Sequence, residues 1–382
     1  MNIRTAPLTN ARMVLGDEVV HGTLAVSGGE ISDISQSGSS VAEAEDLEGD
    51  FLIPGLVELH TDNLERHMMP RPKVFWPATP ALLSHDAQVT AAGITTVFDA
   101  IAMGGTAWNA DRETIMNTSV EAVGIAKSDD VLRADHRLHL RSEVSNPRAE
   151  ELFERFADDP LVGIVSLMDH TPGQRQFVDL ERLKTYFMSR YAMSEGQFEA
   201  YLRSKKADQE AHAHEHRQVI AAGARDRGLV LASHDDATED HVEEAASLGL
   251  TIAEFPTTID AARAAHACGM RTIIGGPNMV RGGSHSGNVS AGDLAKAGLL
   301  DAFSSDYIPS SLLHGAMLLH DKHGATLPDA IATVTRNPAD MAGLDDRGEL
   351  RIGARADLAR IRSLDDGTPA VLAVWREGKR VI

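Results

Sequence analysis

The sequence predicts an α/β fold, a (β/α)8 TIM-like barrel carrying a small β-sandwich domain built from both chain ends. Three observations predict it. Short apolar runs alternate with helical segments, the mark of a parallel sheet with crossover helices, and they number eight. Nearly every run ends in a polar or ionisable residue, and in a barrel that end carries the chemistry. The first fifty and last thirty residues show strands and turns without a helix-length amphipathic pattern.

In chain order, ARMVLG and GTLAVSGGEISDISQ read as strands, followed by the polar run SGSS. The barrel runs are FLIPGLVELH, GITTVFDAI, RLHLRSEV, LVGIVSLMDH, GLVLASHDD, LTIAEFPTT, RTIIGGPN and LDAFSSDY. They end in His60, Asp99, Glu143, His170, His234, Glu254, Asn278 and Asp306. The connection from about Thr171 to Arg227 is too long for a simple crossover and reads as a helical lid or an extended outer helix. LRIGARADLARI and PAVLAVWREGKRVI then return as strands that can pair with the N-terminal ones. The expected division is 1–52 with 345–382 for the small domain, and 53–344 for the barrel with its insertion at about 171–227.

Lys and Arg total 36 against 56 Asp and Glu, so the net charge of -20 lacks the footprint for nucleic acid or an anionic membrane. An anionic substrate therefore requires a local basic pocket. The single cysteine, Cys268, excludes an intrachain disulfide framework and any multi-cysteine zinc site, which fits a reducing cytoplasm. The N-terminal MNIRTAPLTNARMVLG has no long apolar run after a basic start, and a soluble, unexported protein is expected. Assembly into a homo-oligomer is left open.

His60 and Asp62, two residues apart at a strand end, can face the mouth together and reach one metal ion. Alone, such a pair is a weak signal, since an acid or histidine at a strand end also caps helices. Glu143, His170, His234 and Asp306 stand at the ends of other strands, and their convergence carries the metal reading. Nitrogen ligands with carboxylates suit zinc first, with manganese or iron as alternatives, as one ion or two. Glu143 is the candidate bridge between two ions. Asp306, in FSSDY, is the candidate catalytic base that orients and deprotonates the attacking water.

For substrate, GGPNMVRGGSHSGN offers glycine amides with Asn278, Arg281, Ser284 and His285, a cradle for phosphate. Arg71 and Lys73 follow the dyad in MMPRPKVFWPATP, while Arg141 and Arg175 extend a positive lining. His212, His214 and His216 in AHAHEHR read as an exposed helix face without catalytic work.

LIPGLVELHTDN, PRPKVFWPA, SHDA, AGITTVFDA, LHLRSEV, SLMDHTPGQRQF, LASHDDAT, AEFPTT, GGPN and SSDY together resemble the amidohydrolase superfamily over nearly the whole chain, and within it the diphosphatase branch of the carbon–phosphorus lyase pathway. Asp62 stands where the superfamily usually has a second histidine, no carboxylated lysine is found, and Ala253-Glu254-Phe255 lacks the sixth-strand histidine. These departures agree with that branch. The resemblance implies a metal-dependent hydrolase that takes a phosphorylated sugar phosphonate and splits its 5-triphosphate to the 5-phosphate and pyrophosphate. A rival reading is hydrolysis of a C–N bond in a cyclic amide or N-acyl amino acid; the basic residues on the mouth loops disfavour it. A barrel without catalysis is disfavoured by the nearly full ligand set.

Overall fold

Eight parallel strands follow one another around the barrel in chain order, each hydrogen-bonded to the next. The computed structural model describes residues 6–39, 41–71, 74–104, 111–173, 194–284 and 286–382, together with Arg175, Lys184 and Met188. The barrel strands are β6 (Leu56–Thr61), β7 (Ile94–Met103), β8 (Asp135–Glu143), β9 (Val162–Met168), β10 (Val230–His234), β11 (Ile252–Glu254), β12 (Arg271–Gly275) and β13 (Ala302–Ser304). They are the eight apolar runs read from the sequence. The last returns to the first through a parallel bridge between Thr61 and Asp306. There the Asp62 amide donates to the Asp306 carbonyl at 2.9 Å and the Asp306 amide to that of His60 at 3.2 Å. Buried Glu58 reinforces this seam by accepting from the backbone amides of His60 and Ser305.

Val57, Phe98, Ile164, Ala232, Ile252, Ile273 and Ala302 fill the interior. The alternate residues of the same strands, such as Val97, Leu140, Val165 and Ile274, pack against the surrounding helices. Asp99 belongs to this outward set. The strand runs on to Met103, so Asp99 lies mid-strand and not at the mouth.

The other strands are β1 (Leu8–Val14), β2 (Val19–Ser27), β3 (Glu30–Ser35), β4 (Glu45–Asp46), β5 (Phe51–Pro54), β14 (Leu358–Ser363), β15 (Pro369–Arg376) and β16 (Lys379–Arg380). They form one continuous sheet in the order β16-β15-β14-β5-β1-β2-β3, with β4 beside β1. The two chain ends meet where β5 pairs antiparallel with β14 and parallel with β1. A bridge between Glu30 and Arg355 brings the sheet back on itself around Leu24, Ile31, Leu52, Leu358 and Trp375. The expected sandwich is thus a single folded sheet. Only Gly55 separates β5 from β6, and any side chain there would collide with Thr95.

Within the long connection after β9, the helix Glu195–Asp226 starts at a capping box formed by Ser194 and Gln197. It buries Phe198, Ala213, Ile220, Ala221 and Ala224, so this part is an extended outer helix. His216 also turns inward, its Nδ1 lying 2.9 Å from the Val144 carbonyl, and so departs from the exposed face expected for the three histidines. None of the helices among the described residues is long and apolar enough to cross a membrane.

Candidate active site

A cavity of about 310 Å3 opens at the C-terminal ends of the strands. Its wall brings together His60, Asp62, Arg141, His170, His234, Asn278, Arg281, Ser284 and Asp306, nine of the residues expected from sequence. Asp235, Phe255, Ser286, Asn288 and Tyr307 share the wall and were missed. Asp235, Phe255 and Asp306 each take a left-handed backbone conformation, with φ of 56°, 54° and 55°. Such conformations are costly for residues with a Cβ and cluster at functional sites, where they turn a side chain off the end of a strand.

Four imidazoles pack in a row across the floor. His139 and His60 have ring centroids 5.1 Å apart, His60 and His234 5.7 Å, and His234 and His170 5.5 Å. His60 Nδ1 lies 3.1 Å from Glu254 Oε1, and its Nε2 lies 3.8 Å from Asp62 Oδ1. At the far end, Asp235 Oδ2 is 2.9 Å from His234 Nδ1 and 3.7 Å from His170 Nε2. Two groups of donors result: His60, His139 and Glu254, and His170, His234 and Asp235. His139 was missed, although the alternation of β8, which places His139, Arg141 and Glu143 on one face, could have found it. Asp235 could not be found in this way, since strand periodicity cannot foresee the turn that redirects it.

Burial, followed by the nearby Arg141 charge, holds the His60 imidazole down to about 3, and burial brings His139 down to about 4. Burial likewise lowers His234. These rings are neutral at pH 7, the state in which an imidazole ligates a metal. His139 Nε2, His234 Nε2 and Glu254 Oε2 are buried without a hydrogen-bond partner among the described residues. Unanswered buried polar atoms are rare and costly. A divalent cation answers these lone pairs at once, so the donor set fits a metal.

Asp62 is ion-paired with Arg141. Burial opposes ionisation of Asp62, but the surrounding groups, Arg141 first and then His60, Arg112 and His234, together outweigh it and hold the carboxyl below its ordinary value. Asp306 goes the other way: burial, then the Asp62 charge, push its carboxyl up to about 7. Two carboxyls separated in this way suit one permanent anion and one proton acceptor at neutral pH.

Glu143 has a different place from the bridge expected of it. Its oxygens accept from the backbone amide of His170 at 2.9 Å and from Ser145 at 3.0 Å, and one lies 2.8 Å from His170 Nδ1. It stands behind His170 and orients the ring, as carboxylates behind metal-ligating histidines do. Arg175 is also behind the wall. Its buried guanidinium pairs with Asp236 and donates to the His234 carbonyl at 3.1 Å, so it braces β10 and is not among the residues lining the cavity. We expect Arg175→Ala to cost about 3–5 kcal/mol in urea unfolding, because it leaves Asp236 buried without its partner. Arg71 is exposed, in a bridge with Val74, and does not line the cavity. Lys73 and His285 lie outside the described residues.

The helix Gly276–Arg281 and the loop after it form the opposite rim, with Gly282 left-handed at the helix end. Asn278 closes this loop at its base, donating to the Val289 carbonyl at 3.0 Å and accepting from the Ala291 amide at 2.9 Å. Arg281, Ser284, Ser286 and Asn288 are carried on it and line the cavity across from the histidines.

Comparison with known proteins identifies the family and the fold. A family profile described as "Amidohydrolase family" matches residues 193–382. Alpha-D-ribose 1-methylphosphonate 5-triphosphate diphosphatase of Escherichia coli (strain K12) is 46% identical over 376 residues, 98% of this chain and 99% of that protein. A dihydroorotase of Methanopyrus kandleri is 37% identical over 81 residues, 20% of this chain and 18% of its own. Among solved structures, 5-methylcytosine deaminase from Klebsiella pneumoniae superposes with a TM-score of 0.66 at 17% identity, covering 98% of this chain and 97% of that one. N-acetylglucosamine-6-phosphate deacetylase from Pasteurella multocida gives 0.65 at 14% identity, covering 98% and 99%, and such distant likenesses speak for the fold alone. The chain belongs to the amidohydrolase family, whose members depend on metal for hydrolysis.

Proposed function

We propose that this protein hydrolyses alpha-D-ribose 1-methylphosphonate 5-triphosphate to the 5-phosphate and pyrophosphate, the reaction named for its E. coli relative. The observation that carries the reading is the pairing, across one cavity, of a histidine and carboxylate cluster with an arginine-bearing loop. That division suits a substrate whose reacting phosphorus sits among ligands while a polyphosphate tail needs cationic partners.

His60, Asp62, His170, His234 and Asp306 would hold one or two divalent ions, zinc by the imidazole nitrogens among the donors, with His139, Asp235 and Glu254 within reach of the same centre. A bound ion supplies Lewis acidity toward the phosphoryl oxygens and activation of water at neutral pH. The other tasks fall to the chain. Asp306 orients the attacking water and takes its proton as the water oxygen bonds to the phosphorus next to the ribose. The bond from that phosphorus to the bridging oxygen breaks, and the electron pair leaves with pyrophosphate. Arg141 and Arg281 balance the growing charge, while Ser284, Ser286 and Asn288 offer polar contacts to the tail.

The test is phosphorus NMR of the metal-loaded protein with the ribose 1-phosphonate 5-triphosphate. Stoichiometric pyrophosphate is the expected product; turnover of a cyclic amide or N-acyl amino acid with no phosphorus product would replace this reading with the C–N one. Arg281→Ala should lower kcat/KM roughly 100-fold, about 3 kcal/mol by comparison with donors aimed at developing charge. Its melting temperature should stay within error, because Arg281 is exposed on the rim.

A further inference from the structure

Outside the barrel wall, between β7, β8 and the helix α2 (Ala78–Ala91), lies a run of polar side chains that the reaction does not use. His85 and Asp86 of that helix, Asp99 of β7 and His136 of β8 have no exposed surface. Asp86 Oδ1 is 3.3 Å from His136 Nε2, His136 Nδ1 is 2.7 Å from Asp99 Oδ2, and Asp99 Oδ1 is 2.7 Å from His85 Nε2. The chain ends at Asn63, whose Nδ2 donates at 2.9 Å both to His85 Nδ1 and to Gln88 Oε1.

The donor pattern is fully determined. An amide nitrogen can only give protons, so His85 Nδ1 accepts and its Nε2 carries the hydrogen given to Asp99. His136, with a carboxylate on either side, donates from both nitrogens. Asp86 is further satisfied by the guanidinium of Arg133 at 3.0 Å and by two backbone amides. Buried ionic groups of this kind are expensive, and packed apolar side chains would serve stability as well. What the run does fix is a direction.

Asn63 opens the helix α1 (Asn63–Met68) immediately after Asp62. That helix has six residues and no side-chain cap, so its first turn is not held by its own hydrogen bonds. On the other side of Asp62, Thr61 donates from its hydroxyl to the Asp306 carbonyl at 2.8 Å and accepts from the Asn63 amide at 3.3 Å. Asp62 is therefore strung between two anchored neighbours.

We propose that Asn63 and His85, backed by Asp99, His136 and Asp86, are positioning residues that aim the Asp62 carboxylate at the metal-competent cluster. The inference rests on the reading of His60 and Asp62 as metal ligands. The expected result for Asn63→Ala is zinc affinity weakened about 10-fold in competition with a chromophoric chelator, the low end of the effect of losing a partner bonded directly to a ligand, because Asn63 reaches Asp62 through the backbone. At saturating zinc, kcat should fall with KM for the triphosphate unchanged. His85→Gln, one step further from Asp62, should weaken zinc in the same direction by less, and it stands in if Asn63→Ala does not fold. Val89→Ala, buried and apolar on the same helix, provides the comparison: it should lower the melting temperature while zinc affinity stays as in the parent protein. Zinc binding by Asn63→Ala and His85→Gln as tight as in Val89→Ala, with Asp62→Ala weakened, would overturn the positioning role alone. Undiminished zinc affinity in Asp62→Ala would remove the ligand reading beneath it.

Discussion

Asp306→Asn should abolish pyrophosphate release almost completely, with kcat falling roughly 1,000-fold, while the barrel folds and still takes up metal. General base catalysis contributes about 100- to 10,000-fold, and an amide keeps the shape but takes no proton. The structure places this carboxyl where the loss is felt: on the seam that closes the barrel, in a left-handed turn, lining the cavity beside Asp62. Its titration is also visible. In the metal-free protein, burial and the Asp62 charge push it up to about 7, so the fraction able to accept a proton grows as pH rises through neutrality. Activity of the metal-loaded enzyme should therefore show a limb that rises with pH and is set by this carboxyl. A bound cation favours the carboxylate and moves the rising limb to lower pH, whereas Asn at 306 removes the limb. A pH–rate profile identical in the parent protein and the variant would exclude Asp306 as the base.

Stripping metal should have a still broader effect. A chelator is expected to reduce turnover at least about 1,000-fold, since Lewis acid stabilisation of a phosphoryl transition state is worth several kcal/mol. Readdition of zinc should restore it. The same treatment should lower the melting temperature, because an ion bound only by the folded state adds about 4 kcal/mol when present at 1,000 times its dissociation constant. His60→Ala tests the assignment within the chain. The ring is buried in the middle of the imidazole row, so its loss should remove both the zinc-dependent shift in melting temperature and the turnover. A protein that works fully in chelator would refute the metal reading of all these residues together.

The barrel was legible because its strands are short, apolar and punctuated, and each of the eight runs became one of β6 to β13. His60 and His234 were legible for the same reason, because the last residues of a strand have a fixed direction; Asp306 was named from its place after the last run, although it lies two residues past β13 in a left-handed turn. Legibility failed where a turn or a partner decides direction. Asp235 reaches the cluster through a left-handed residue, and no alternation rule predicts that. Arg175 and Arg71 were basic residues near the mouth in sequence; the buried carboxylate of Asp236 claims the first, and the second lies outside the cavity wall. Glu143 was placed at the correct strand end, but the hydrogen bonds of His170 draw it one layer back. Asp99 shows the limit of a short window, because β7 continues four residues past it.

The pairing of β5 with β14 also has a temporal side. Residues 51–54 leave the ribosome about 300 residues before their partner strand at 358–363. At about 5–20 residues per second, the hydrogen-bonding edge of β5 waits roughly 15 to 60 s for its neighbour. During that interval the nascent chain carries an unpaired strand edge beside Leu52 and Ile53, two side chains that end up fully buried. Slowing synthesis lengthens the wait, and supplying holdase chaperones shields it. The yield of soluble enzyme should thus depend on how quickly the roughly 300 residues between β5 and β14 are made.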